Sequence, residues 1–378
     1  MKHRLVHLDL MRGLAALMVC AGHLRAFLMV NYGETKMHGL GEHIFYFSTG
    51  LGRQAVMIFF VLSGYFVGGS VAGAYQAGKW SWQQYAIRRL SRLWIVLLPA
   101  LMLTLVWDMA GRNLAGAGYN GAFHELYLSG PSPHAPADLR PTTFLGNALF
   151  LQTIYVPSFG TNGPLWSLAN EFWYYLLFPL ALGVFVMKHG VFYRLISGLL
   201  VALIIFWLPA GILWGGLVWL LGVGAFALAR NEWTQRVCGH PGWLAVTAIL
   251  AFGSLAASKT SSMFGSNLAI GAAFALFVAG LAVQNSAPQV YAKLADGMGE
   301  TSYTLYLTHF PFLAFIFFTV FKGEQFQPDL AGFARFFGVL LITLVYVVVV
   351  WWCFERNTDR IRKRLETIFR SRSPSSIS

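Results

Sequence analysis

The chain is poor in charge, and poorest in acid. Only 11% of its 378 residues are Asp, Glu, Lys or Arg, and 15 acidic residues stand against 27 basic ones, a formal net charge of +12. An average soluble domain is about 25% charged, so the deficit excludes an ordinary water-soluble globule. Cysteine is scarce as well: Cys20, Cys238 and Cys353 lie far apart, two of them inside apolar runs, with no CxxC spacing and no Cys/His cluster. That argues against a disulfide framework and a zinc site, and no bound metal is expected. No internal repeat relates the two halves, whereas repeats are a common signature of transporters. The basic residues are scattered rather than gathered into a domain, which disfavours nucleic acid as a partner.

What the chain has in excess is apolar surface. Hydrophobic residues make up 57%, with 39 glycines in addition, more than an aqueous fold of this length buries. Lipid is therefore the expected solvent for much of the surface. A spanning helix needs about 20 predominantly apolar residues, and ten such stretches lie near 8–30, 54–74, 93–110, 165–186, 192–208, 211–229, 242–258, 266–284, 303–321 and 332–354. A shorter stretch, 142–156, contains Asn147 and Gln152 and reads as an interfacial or re-entrant piece of a long external loop, 111–164. Basic residues accumulate in short cytoplasmic segments. With ten spans, one side collects Lys2 and Arg4, the four from Lys79 to Arg92, Lys188, Arg194, Arg230, Arg236, Lys293, and the seven from Arg356 to Arg372. Both termini are accordingly expected in the cytoplasm. The predicted organisation is a polytopic membrane domain over 1–356 and a basic, Ser-rich cytoplasmic tail over 357–378, disordered at SRSPSSIS. The basic start followed by an apolar run imitates a signal peptide, but Asp9 and Arg12 interrupt it and no clean cleavage site follows, so it is expected to be retained as the first span.

Ionisable residues inside a membrane helix are costly, and function is the default expectation for them. The first span has Asp9, Arg12 and His23. At about 100° per residue, the step from Arg12 to His23 leaves them roughly 20° apart and about 16 Å apart along the axis, with Asp9 within roughly 60° of both. The stripe is predicted to face a cavity or another helix. The bland alternative is an interfacial Asp9–Arg12 ion pair and a packing histidine. Ser63 and Gly64 in the second span suggest close packing or a kink, and Gly211 and Gly215 have small-xxx-small spacing.

Six segments in order, LDLMRGLAALMVCAGHL, FFVLSGYFVG (59–68), RRLSRLWIVLLP (88–99), LWSLANEFWYYLLFP (165–179), SYTLYLTHFP (302–311) and FERNTDR (354–360), are spread over essentially the whole chain. With them the chain resembles the membrane-bound acyltransferase-3 family, in its stand-alone form without a fused hydrolase-like domain. Many relatives read Glu-Arg-Pro where this chain has Glu355, Arg356 and Asn357, and carry two acidic residues where it keeps Asn170 and Glu171.

The resemblance implies an all-α protein integral to the bacterial inner membrane. It implies transfer of an acyl group, usually acetyl from acetyl-CoA, to a hydroxyl of a cell-envelope or secreted glycan such as lipopolysaccharide or exopolysaccharide. Acyl-CoA is then a donor substrate, no cofactor is permanently bound, and the partners are membrane lipid and the glycan. His23 is the expected general base, because imidazole titrates near neutrality, and Glu171 the carboxylate expected to orient it. Arg12, Arg89 and Arg92 are expected on the CoA phosphates, for which the guanidinium fork is the usual partner. Asp9, Ser63, Asn170, Tyr303 and His309 are possible supporting residues. Counted from the start of its apolar run, His309 is expected nearer the depth of Arg12 than of His23, as a donor contact or a packing hydrogen bond. In the long loop, His124, Glu125, His134 and Asp138, with Tyr119 or Tyr127 stacking, are candidates for acceptor contacts. Two other readings stay open: a transporter with an intramembrane proton relay, and an acyltransferase acting on a cytoplasmic small molecule.

Overall fold

The computed structural model describes residues 5–371 except 37, 128, 186–189, 260–262 and 285–286. Lys2, Arg4, Lys188, Arg372 and the chain end after Ser371 lie outside the described residues. Among those described, helix dominates and no strand forms. The order is α1 (Val6–Leu28), α2 (Leu40–Thr49), α3 (Gly52–Ser63), a π-helical turn (Gly64–Gly68) leading into α4 (Gly69–Gln76), α5 (Trp82–Tyr119), α6 (His124–Tyr127), α7 (Pro141–Ala148) and α8 (Trp166–Phe185). It continues with α9 (Val191–Trp207), α10 (Ala210–Arg230), α11 (Glu232–Cys238), α12 (Pro241–Ala257), α13 (Met263–Ala282), α14 (Gln289–Thr319), α15 (Leu330–Cys353) and α16 (Thr358–Ser371).

Every one of the ten apolar stretches contains a helix. Among the described residues, seven helical segments are long and apolar enough to cross a bilayer, eight if α11 and α12, bent by 72°, form one span. The difference from ten lies partly in α9, which has 17 residues, and in α14, whose 31 residues begin with Lys293, Asp296 and Glu300 in the first half. Large apolar side chains stand outward on these helices, Phe206 at 93% and Leu341 at 64% exposure, which water would penalise and hydrocarbon accepts. The chain is an all-α, multi-pass membrane protein.

Two boundaries differ from the sequence reading. The loop expected from 111 starts later, because α5 continues to Tyr119 through a non-helical residue at Ala115. Gly111 makes this possible, since a Cβ there would overlap the Tyr119 ring. Within that connection α7 has eight residues, about 12 Å, too short to span. The tail expected from 357 is largely helix α16, nucleated where Thr358 Oγ1 donates to Glu355 O at 2.6 Å. Ile361, Leu365 and Ile368 recur at helical spacing in it, a signal masked by the basic and Ser-rich composition.

The chain forms two compact units. The first holds the chain to Gly22, Phe45–Trp80 and Trp166–Ser302; the second holds His23–Ile44, Ser81–Leu165 and everything from Tyr303. In the first unit the α3–π–α4 segment packs on α10 at its two glycines. A Cβ on Gly64 would overlap the Trp219 carbonyl oxygen, and one on Gly222 would overlap Val61 O. Small residues let the backbones meet, the usual way helices associate in lipid, and the π turn accommodates the fit. Gly211 and Gly215 do not act as a pair: Gly215 makes room for the Tyr174 hydroxyl, while Gly211 has nothing within 4 Å. The second unit has an aromatic core in which Phe312 stacks on Tyr346 at 4.4 Å and Trp107 Nε1 donates to Tyr346 Oη at 3.2 Å.

Gly222→Val is expected to lower the melting temperature of the purified protein, with a cost of about 1–3 kcal/mol or more for overpacking. Gly211→Ala, placed in open space, is expected to leave it unchanged or slightly raised. Equal melting temperatures for the two variants would refute the α3–α10 contact.

Candidate active site

The polar stripe of α1 faces α14. Arg12 Nη2 donates to Gly299 O at 2.8 Å and pairs with Asp9 Oδ1 at 3.1 Å, one turn away on its own helix. Further along, His23 Nδ1 and His309 Nε2 lie 2.9 Å apart. Eleven residues separate Arg12 from His23 and ten separate Gly299 from His309, about 16 Å and 15 Å of helix. The two helices therefore run parallel and in register, and His7 Nδ1 at 2.8 Å from Tyr291 Oη extends the series at the other end. Close approach again depends on glycine. A Cβ on Gly13 would overlap Met298 Cβ, and one on Gly299 would come within 3.0 Å of Asp9 Cβ.

This register corrects the expected depth of His309. The apolar run starts near 303, but α14 starts at Gln289, so Gly299 is level with Arg12 and His309 is level with His23. Sequence reasoning missed Gly13 and Gly299, whose signal was their position beside or opposite the charged pair.

The hydrogen bonds of the histidine pair fix its proton order. His309 is fully buried, and its Nδ1 lies 2.8 Å from Leu305 O. A carbonyl only accepts, so Nδ1 carries the hydrogen, and in the neutral ring Nε2 is an acceptor. The nitrogen facing it, His23 Nδ1, is then the donor, which leaves the lone pair of His23 on Nε2. The rings lie nearly parallel at 5.2 Å and 12°, and Phe310 meets His23 edge-on at 4.9 Å.

Elsewhere in the first unit Tyr175 Oη donates to Glu171 Oε2 at 3.3 Å. That hydroxyl lies 3.0 Å from Ser63 Oγ, which accepts from Trp219 Nε1 at 3.1 Å. Ser63 thus joins the α3–α10 contact, and neither described partner is a base. Asn170 is buried on the same helix as Tyr174, whose hydroxyl donates to Ile212 O at 2.6 Å. In the second unit Tyr303 Oη donates to Leu93 O at 3.3 Å. Arg88 Nε reaches Glu366 Oε1 at 3.4 Å, Arg89 lies over the Tyr85 ring at 5.6 Å, and Arg92 is exposed. Glu355 of the FERNTDR segment accepts from Thr304 Oγ1 at 2.6 Å and from Thr304 N at 3.2 Å, tying the end of α15 to α14.

The loop candidates divide. Glu125 and His134 are exposed, and His124 Nδ1 lies 3.0 Å from Pro131 O. Asp138 is gripped by Arg140 at 2.7 Å, which lowers its carboxyl to about 2. Tyr119 and Tyr127 are 0% and 4% exposed inside the aromatic core, because α5 carries Tyr119 inward instead of ending at 110. Among the described residues no group of three or more His, Cys, Asp or Glu could hold a metal ion.

The proton order is open to measurement. Nitrogen-15 spectra of histidine-labelled protein at alkaline pH are expected to show Nδ1–H on both His23 and His309 with Nε2 unprotonated, and His309→Phe should release His23 into a mixture of tautomers. An Nε2–H signal for His23 in the parent protein would refute the arrangement.

Comparison with curated proteins and comparison with solved structures both give no match. A family model does match: Acyl_transf_3, described as an acyltransferase domain, fits residues 5–354. That span includes Arg12, His23, Glu171 and His309. The match covers nearly all of the chain and the fold is a multi-pass helical membrane protein, so the chain belongs to the acyltransferase-3 family of membrane acyltransferases.

Proposed function

We propose that this membrane acyltransferase is an O-acyltransferase, that its donor is acetyl-CoA, and that its acceptor is a hydroxyl of a cell-envelope or secreted glycan at the bacterial inner membrane. The observation that carries the reading is the His23–His309 hydrogen bond. It holds one imidazole in a single tautomer and directs a lone pair away from its partner, which is what a general base for a hydroxyl requires. His23 Nε2 takes the hydroxyl proton as the oxygen attacks the thioester carbonyl carbon and the C–O bond forms. Collapse of the tetrahedral intermediate breaks the C–S bond, and the departing thiolate takes the proton back from His23. No electrons are exchanged with an outside reagent, and the histidine ends as it began.

We take His309, which faces His23 Nδ1 at 2.9 Å, as the group that orients the imidazole, the role the sequence reading gave to Glu171. A neutral imidazole stabilises the transient imidazolium less than a carboxylate does, so His309 chiefly orients. Arg12, Arg89 and Arg92 are assigned to the phosphates of the donor. Asp9 and Gly299 O pre-set the Arg12 fork, and ordering before binding reduces the entropy lost on binding.

In membranes given radiolabelled acetyl-CoA, His23→Ala is expected to lower transfer of label to glycan at least 100-fold, roughly the span of general-base contributions, with expression unchanged. Full activity in that variant would overturn the assignment. Arg89→Ala is expected to weaken acetyl-CoA binding to the purified protein about tenfold, the loss of one charge-assisted contact. Unchanged affinity by calorimetry would remove Arg89 from the donor site.

A further inference from the structure

Pro311 lies inside α14. It has no N–H, so the carbonyl four residues earlier, Leu307 O, is left without its helical hydrogen bond. His309 sits between the two, on the turn that this loss weakens. The second unit supplies a substitute donor: Asn162 Nδ2 donates to Leu307 O at 2.9 Å. The same amide donates to Thr104 Oγ1 at 3.2 Å, and Asn162 is fully buried.

The loop that carries Asn162 is fastened on both sides of it. Thr161 donates to the buried Asp108 carboxylate through its backbone N–H at 2.7 Å and its hydroxyl at 2.8 Å. Gly160, with φ 58°, lets the chain pass over that carboxylate, because a Cβ there would overlap Asp108 Oδ2. Downstream, Tyr306 Oη donates to Pro164 O at 3.3 Å, and Gln152 Nε2 donates to Leu165 O at 2.9 Å. Three consecutive α14 residues are thereby engaged: Leu305 O by the His309 ring, Tyr306 by Pro164 and Leu307 O by Asn162.

We propose that Asn162 is a positioning residue for the His23–His309 pair, replacing the backbone donor that Pro311 removes and so holding the turn that aims His309 Nε2 at His23. Its consequence for activity rests on His23 acting as the base; its consequence for the histidine pair does not. A residue that only filled space would not respond to restoration of a backbone N–H four residues beyond Leu307, and this gives the test.

The full-length protein is compared with Asn162→Leu, Pro311→Ala and the double variant, by nitrogen-15 histidine spectra and by steady-state acetyl transfer. Asn162→Leu is expected to mix the tautomers of His309 and His23 and to lower kcat about tenfold, with KM for acetyl-CoA unchanged. In the double variant the new N–H of residue 311 bonds Leu307 O, so its spectra and kcat are expected to match those of Pro311→Ala alone. A parent-like histidine spectrum in Asn162→Leu, or a change confined to KM, overturns the proposal, as does a double variant impaired as much as Asn162→Leu. If Asn162→Leu fails to fold, a folded double variant supports the proposal and an unfolded one refutes it. If the parent protein transfers no acetyl group while Asn162→Leu still mixes the tautomers, the positioning role stands and the acyl-transfer reading falls.

Discussion

A single hydrogen bond along α14, from His309 Nδ1 to Leu305 O, decides what His23 is able to do. It assigns the hydrogen of one ring, that assignment makes the other nitrogen an acceptor, and the acceptor determines which atom of His23 keeps its lone pair. The rest of the centre preserves this relation. In the first unit Gly13 and Gly299 let the backbones of α1 and α14 approach, and Arg12 bonds Gly299 O there. In the second, sliding either helix by a residue, about 1.5 Å, would break the contact of the rings.

Burial in an apolar medium is what makes the supporting hydrogen bonds matter. A polar group left unpaired in such surroundings costs several kcal/mol by order of magnitude. Pro311 creates one such group and Asn162 satisfies it. Asp108 is met by two donors of Thr161, and Glu355 by two donors of Thr304. The FERNTDR segment, which reads as the close of the last span, is in this sense a clasp between α15 and α14.

Two of the family motifs serve packing as much as chemistry. In FFVLSGYFVG, Ser63 and Gly64 build the contact with α10, and the serine hydroxyl is absorbed by Trp219 and Tyr175. The RRLSRLWIVLLP element opens α5, with Arg89 resting on Tyr85 and Arg88 reaching Glu366 of α16. The exposed Arg88–Glu366 pair contributes little stability, and of these two arginines Arg89 is the one proposed to meet the donor.

From the sequence alone came the membrane class, the helical fold, the placement of the apolar helices, the family, and the stripe of Asp9, Arg12 and His23. These follow from composition and from a helical period that any helix must obey. Contacts remote in sequence were beyond its reach. Nothing local pairs His23 with His309, 286 positions later, or Asn162 with Leu307, because hydrogen bonding between helices depends on register and register depends on glycines whose neighbours are unknown until the chain is folded. The depth of His309 was misjudged for that reason: apolar length marks where hydrocarbon begins, whereas backbone contact sets which residues stand level. The sequence determined which helices meet lipid, and the tertiary structure decided which atoms of those helices meet each other.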